Sequence, residues 1–163
     1  MRVYLDACRI NRLTDDQGQT RIRQAAEAVE LILRRMRDGE VQWISSEALA
    51  DEIDRNPNVE RRLENATLLA LASENIDVND QVADRAANLE FAGYGAYDAL
   101  HLACAEAAQA DVLFTTDDGF IRRAARQDAT HLWRASMAWH VSCGYTGLVL
   151  ATTQAAGCSG KKA

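Results

Sequence analysis

Short apolar segments alternate with amphipathic helical segments along most of the chain, and this alternation limits the folds that it can adopt. Four segments have strand character: 3–5, 41–45, 75–78 and 112–115. Between the first two, apolar residues recur every three or four positions, with Thr20 as candidate N-cap and Gly39 as helix stop. Strands that alternate with helices indicate βαβ units, and therefore a parallel sheet with helices on both faces. We predict an α/β fold.

Three later helices are predicted in the same way. The segment after Pro57 is marked as a helix by four apolar residues, Leu63, Ala66, Ala70 and Leu71. Two further helices lie on either side of Gly93, which closes the first of them.

The last part of the chain differs in composition from the rest. Residues 135–160 contain no Lys, Arg, Asp or Glu, whereas Gly, Ser, Thr and Ala are frequent. Residues 131–137 are a candidate edge strand, and "TGLVLATT" also has strand character. A length of 163 residues suits one domain. We predict this domain over residues 1–140 and a poorly anchored tail over residues 141–163.

Composition argues against several classes of protein. No apolar run reaches the roughly 20 residues that span a bilayer, and "MRVYLDACRI" lacks the pattern of a signal peptide. We therefore expect a cytoplasmic protein with no membrane partner. The four cysteines are scattered, without the spacing of a zinc site. The net charge of −6 is not that of a general nucleic-acid binder.

Acidic residues stand where predicted strands end and where predicted helices begin. Five are placed in or near such positions: Asp6, Glu47, Glu52, Asp98 and Asp117. Some have a local explanation as well, because Asp98 and Glu47 complement a helix dipole and Asp117 or Asp118 caps the helix that follows. Ligands of parallel α/β sheets bind beyond the carboxyl ends of the strands. Several of these carboxylates can therefore meet at one edge of the sheet.

Carboxylates that converge repel one another, and each raises the pKa of the other. A divalent cation relieves this repulsion, and ligation by oxygen alone favours Mg²⁺ or Mn²⁺ over zinc. Such a cation polarises a phosphate and activates a water for in-line attack. If the acids converge, the sequence indicates metal-dependent hydrolysis of phosphodiester bonds.

Four motifs, "YLDAC", "SSEALADEI", "YDALHLACA" and "LFTTDDGF", together resemble the PIN domain family, which includes VapC-type toxin nucleases. The resemblance covers roughly residues 2–127. It implies a three-layer α/β/α fold with a parallel sheet of about five strands. It also implies a site of three or four acids that holds Mg²⁺ or Mn²⁺ and cleaves RNA.

Carried over by position, the resemblance assigns the catalytic and metal-binding acids to Asp6, Glu52, Asp98 and Asp117. It implies that Thr115 hydrogen-bonds a carboxylate, a water or a phosphate. Glu47 is the alternative for the second acid, and Asp118 is the alternative for the fourth. A site with one ion and a site with two ions are both compatible with this set.

The chain departs from the family pattern after its first acid. Thr or Ser followed by Asn is usual there, whereas Ala7 and Cys8 stand in this sequence. We expect any polar role of these neighbours to be absent or to be filled by Asn11. His101, three positions after Asp98, is interpreted as a structural or supporting residue rather than a catalytic one.

Two functional hypotheses from different classes follow. The first is a metal-dependent endoribonuclease, the toxin of a toxin–antitoxin pair, with RNA as substrate, an antitoxin protein as partner and a homodimer as assembly. Arg122, Arg123 and Arg126 are its candidate contacts to the RNA backbone. The second is a catalytically inactive PIN-like domain that binds RNA or protein. Residues 7 and 8 favour the second hypothesis, and the four acids favour the first.

Overall fold

Six strands form one sheet in the part of the chain that the computed structural model describes, which is residues 1–13, 15–16, 18–126, 133–141 and 145–152. The strands are β1 (Arg2–Leu5), β2 (Gln42–Ser46), β3 (Glu74–Ile76), β4 (Val112–Phe114), β5 (Trp133–Val141) and β6 (Tyr145–Thr152). The helices are α1 (Ala7–Ile10), α2 (Thr20–Arg37), α3 (Glu47–Asp54), α4 (Val59–Leu69), α5 (Asp80–Phe91), α6 (Ala96–Ala107) and α7 (Asp118–Arg126), and a 3-10 turn covers Asn11–Leu13.

The sheet has the strand order β3-β2-β1-β4-β6-β5. β1 pairs in parallel with both β2 and β4, and β3 continues the parallel part beyond β2. β6 runs antiparallel to β4 and to β5. The prediction of an α/β fold is confirmed, but four strands are parallel rather than about five. The difference arises because β5 and β6 are consecutive strands, and antiparallel neighbours need no helical crossover.

β6 lies in the segment that was predicted as a tail, and it occupies a place between β4 and β5. The rest of that tail, residues 153–163, lies outside the described residues, as do residues 142–144. In the described ranges, no helix combines the length and the apolar character that a bilayer span requires.

Each face of the sheet carries its own apolar cluster. Tyr4 of β1 packs on one face with residues of α5 and α6. Its neighbours Val3 and Leu5 pack on the other face with residues of α2 and α3. This alternation is the ordinary geometry of a strand, and burial on both faces is typical of a parallel sheet. The prediction of helices on both faces is therefore confirmed.

The predicted helix ends agree with the structure at two of three positions. Gly39 and Gly93 follow α2 and α5 with φ of +76° and +96°, a conformation that glycine adopts without a steric cost. The prediction that Thr20 caps α2 is wrong. Gln19 holds the N-cap position without a side-chain bond, because the backbone of Thr20 is already helical.

The four apolar residues that mark α4 in the sequence lie on its solvent side and in the turn after it. Leu63 is 64% exposed and Leu71 is 53% exposed. The buried polar residue of α4 is Asn65, whose Nδ2 donates to Oδ1 of Asn11 (2.7 Å). Periodicity therefore predicted the helix but not the face that packs, which depends on its neighbour α3.

Candidate active site

Asp6 lies directly after β1 and is only 4% exposed. The hydroxyl of Thr115 donates to its Oδ2 (2.6 Å). The backbone N–H of Cys8 donates to its Oδ1 (3.2 Å), and the Cys8 thiol donates to its Oδ2 (3.1 Å). A buried carboxylate needs such donors. Residues that follow β1 and β4 therefore hold the Asp6 carboxylate at the carboxyl end of the parallel sheet.

Glu52 of α3 and His101 of α6 approach Asp6. His101 Nε2 lies 2.7 Å from Glu52 Oε2 and 3.8 Å from Asp6 Oδ1. One potential ligand atom from each of the three side chains lies within 4.8 Å of the other two. Burial disfavours the imidazolium, but the hydrogen bond to Glu52 and the charge of Asp6 outweigh it and raise the pKa of His101.

Asp98 stands in the first turn of α6, where other carboxylates act on it. Burial, together with the negative charges of Asp117 and Asp6, raises the pKa of Asp98 to about 6. Asp117 and Asp6 therefore both repel the ionised form of Asp98. This repulsion is the pattern that the sequence predicts for carboxylates that converge.

Asp117 has a local structural role in addition. Its Oδ1 accepts the backbone N–H groups of Gly119 (2.6 Å) and Phe120 (2.9 Å), which begin α7. Its own N–H donates to the hydroxyl of Thr115 (3.0 Å). The local explanation of Asp117 as a helix cap therefore holds. Because both cap bonds use one carboxylate oxygen, the cap is compatible with a second role in the site.

The two alternative acids occupy different places. The carboxylate of Glu47 accepts the backbone N–H of Val78 (3.0 Å), in the loop between β3 and α5. Glu52, and not Glu47, is the α3 acid that meets Asp6. Asp118 is exposed at the first position of α7. The contact to Asp6 favours Glu52 over Glu47. Asp117 is exposed as well, and it is favoured over Asp118 because its charge acts on Asp98.

Cys8 makes polar contacts beside Asp6, where the polar role was expected to be absent or to be filled by Asn11. Its sulfur accepts the N–H (3.1 Å) and the hydroxyl (3.0 Å) of Thr116. Burial and the charge of Asp6 raise the pKa of the Cys8 thiol to about 12, so the thiol is protonated at neutral pH and donates to that carboxylate. Asn11 accepts a hydrogen bond from Asn65 of α4 through its Oδ1, and a polar role for Asn11 at the site stays a prediction.

Tyr4 and Ser46 also belong to this region, but nothing in the sequence distinguishes them from ordinary core residues. Tyr4 and Ser46 are fully buried in β1 and β2. The Tyr4 hydroxyl lies 2.9 Å from His101 Nδ1 and 2.5 Å from Ser46 Oγ. In the sequence, Tyr4 is one apolar member of a strand, and its hydroxyl is connected to the site only through contacts far apart in the chain.

The donor set suits a hard divalent cation. Carboxylate oxygens are the ligands that Mg²⁺ and Mn²⁺ prefer, and a positive charge would relieve the repulsion that raises the pKa of Asp98. The family model of the PIN domain matches residues 3–126, well over half of the chain. This chain belongs to the PIN domain family. The family predicted from the four motifs is thus confirmed.

Two solved structures are similar to this PIN domain. VapC20 of Mycobacterium tuberculosis, a sarcin-ricin loop cleaving toxin, is 14% identical, with 72% of this chain and 92% of that chain covered and a TM-score of 0.53. VapBC2 of Rickettsia felis, bound to a DNA fragment from its promoter, is 17% identical, with 75% and 92% covered and a TM-score of 0.48. Curated protein sequences contain no match. The likeness to VapC20 supports the fold.

Proposed function

We propose that this PIN domain is a metal-dependent endoribonuclease and the toxin of a toxin–antitoxin pair. The main support is the convergence at the carboxyl end of the sheet. Asp6 and Glu52 reach within 4.8 Å of each other there, and the pKa of Asp98 is raised by burial, Asp117 and Asp6. Acids kept in mutual repulsion are typical of functional sites.

Asp6, Glu52, Asp98 and Asp117 would hold Mg²⁺ or Mn²⁺. When bound, the cation supplies Lewis-acid activation of the phosphodiester and of the attacking water. Thr115 has a supporting part, since its hydroxyl donates to Asp6 and accepts from the N–H of Asp117. One hydroxyl thus connects the carboxylate of the first acid to the backbone of the fourth. The Cys8 thiol restrains the Asp6 carboxylate further.

RNA is the substrate class that family membership favours, and an antitoxin protein is the expected partner. The shared fold with VapC20, described as a toxin, agrees with this proposal. A homodimer remains part of the proposal, and size-exclusion chromatography with light scattering tests it directly.

The function is tested by incubating the purified protein with single-stranded and structured RNA in EDTA, Mg²⁺ or Mn²⁺. We expect cleavage only with a metal ion. Asp6→Asn should lower the rate by about 10³-fold, because it removes a charged ligand worth several kcal/mol to the transition state. Asp111→Asn, at the opposite end of the sheet, is the matched control and should cleave normally. Equal cleavage by wild type and Asp6→Asn would contradict the proposed site.

One observation favours an inactive RNA-binding domain as the second candidate. Oδ2 of Asp6 accepts bonds from both Thr115 and Cys8, so this oxygen is already engaged by the protein. Under this alternative, RNA is retained in a filter-binding assay but stays intact with either metal ion. Cys8→Ala would then restore cleavage by releasing Asp6 from the thiol.

A further inference from the structure

The proposed reaction leaves two buried polar side chains of the site without a role. Tyr4 is 0% exposed and His101 is 1% exposed. Both ring nitrogens of His101 have partners, since Nδ1 lies 2.9 Å from the Tyr4 hydroxyl and Nε2 lies 2.7 Å from Oε2 of Glu52. Buried polar groups with two well-placed partners hold their neighbours in a defined orientation.

The hydrogen bonds form a closed path that begins and ends on α3. Ser46 caps this helix by accepting the N–H of Leu49 (3.1 Å), and its Oγ lies 2.5 Å from the Tyr4 hydroxyl. From Tyr4 the path continues through His101 and returns to α3 at Glu52. It therefore connects α3 to the central strand β1 and to α6, which carries Asp98.

We propose that His101, held by Tyr4, is a positioning residue that orients the Glu52 carboxylate toward a divalent cation. This inference rests on the proposed function. An ionised carboxylate only accepts hydrogen bonds, so Nε2 of His101 donates its N–H to Glu52 and has no lone pair left for a metal ion. His101 thus acts through Glu52 rather than as a ligand, although its nitrogen lies only 3.8 Å from Oδ1 of Asp6.

Hydrogen-bond partners of metal ligands typically change metal affinity by about 10–100-fold when they are removed. His101→Leu, which cannot donate, should weaken Mn²⁺ binding by that factor. His101→Gln, whose amide can still donate to Glu52, should recover most of the affinity. Tyr4→Phe should weaken binding several-fold, because the imidazole then loses the bond at Nδ1. Ser45→Ala removes a different buried hydroxyl, which lines a cavity beside α3 and α4 rather than the site, and should have no effect.

The experiment is a titration of each metal-free full-length protein with Mn²⁺, in which electron paramagnetic resonance measures the free ion. Thermal unfolding without metal is recorded beside it. If His101 were purely structural, its substitution would lower the melting temperature, and the Mn²⁺ affinity would not recover in His101→Gln. If His101→Leu does not fold, Tyr4→Phe against Ser45→Ala answers the same question, because each variant removes one buried hydroxyl and leaves His101 in place.

The outcomes separate the inference from the function on which it rests. Weaker Mn²⁺ binding by His101→Leu and Tyr4→Phe, with recovery in His101→Gln, supports it. Wild-type Mn²⁺ affinity in both His101→Leu and Tyr4→Phe overturns the inference and leaves the proposed function standing. A pulsed resonance spectrum of the wild type that shows nitrogen directly coordinated to Mn²⁺ does the same. No Mn²⁺ binding by the wild type overturns both the inference and the proposed metal-dependent function.

Discussion

Acidic residues have opposite electrostatic surroundings at the two ends of the parallel sheet. At the amino end, the guanidinium of Arg2 lies 2.7 Å from the carboxylate of Glu74, and its backbone N–H donates to Asp111 (2.7 Å). At the carboxyl end, Asp6 and Asp117 act on Asp98 and raise its pKa. The amino end therefore pairs opposite charges, whereas the carboxyl end brings like charges together.

The acids of the amino end are thus arranged as stability requires, whereas those of the carboxyl end are not. Pairing an acid with a donor or a cation is the arrangement that folding favours. Repulsion between carboxylates costs stability, and natural proteins keep such conflicts mainly where function requires them. The contrast can be tested by changing one residue at each end.

The largest expected effect comes from Asp98→Asn, compared with Arg2→Ala. Asp98→Asn should lower RNA cleavage by about 10³-fold, because it removes a charge from the proposed metal site. It should also stabilise the metal-free protein by about 1 kcal/mol at pH 7, since Asp98 is half-buried and repelled by its neighbours. Arg2→Ala should instead lower the free energy of unfolding by about 1–2 kcal/mol and leave RNA cleavage normal. Cleavage assays and urea unfolding in EDTA measure both.

Loss of stability in Asp98→Asn, or loss of cleavage in folded Arg2→Ala, would break the contrast between the two ends. A melting curve of each variant before the assay provides the control, because it shows that the cleavage rates refer to folded protein.

A smaller effect concerns pH. The pKa of Asp98 rises from its ordinary value of 3.8 to about 6 on folding, so the folded protein binds this proton more tightly than the unfolded chain does. Its contribution to stability is complete below about pH 4 and is lost as the pH rises through about 6. Relative to Asp98→Asn, metal-free wild type should therefore lose about 1 kcal/mol of unfolding free energy between pH 4 and 7.

The measurement is urea unfolding in EDTA at several pH values. Arg2→Ala serves as the reference for the amino end and should follow the wild-type slope, because its Asp98 is unchanged. Parallel curves for wild type and Asp98→Asn would show that Asp98 does not experience the repulsion described for the carboxyl end.

The smallest effect tests how far the carboxyl end extends. A cavity of about 490 Å³ adjoins it, and Cys8, Thr116 and Arg122 are among the residues that line it. The guanidinium of Arg123 packs instead against Gly93. If RNA passes through this cavity, Arg122→Ala should raise KM several-fold and reduce the salt dependence of RNA binding by about one unit of log–log slope.

Arg34→Ala is the control for this variant, because Arg34 is exposed on α2 and paired with Glu30. An equal change in KM for Arg34→Ala and Arg122→Ala would point to the overall charge of the protein rather than to the cavity.

Much of the fold could be predicted because β1 to β4 are apolar segments separated by helices. The prediction that the acids converge came from the same order, since Asp6 and Asp117 come just after parallel strands that pair with each other. The face on which α4 packs could not be predicted, because it depends on α3 rather than on α4 itself. The contact of Tyr4 with the site could not be predicted either, since its hydroxyl meets His101, which lies 97 positions further along the chain.

The separation between Asp6 and Thr115 has a consequence for the time at which the site forms. The two residues are bonded to each other but are 109 positions apart. During synthesis, Asp6 leaves the ribosome long before Thr115 and Asp117 have been added. An unfinished chain therefore lacks the β1–β4 pair and half of the acids. For the proposed ribonuclease, this order prevents the site from forming before residues 115–117 have left the ribosome.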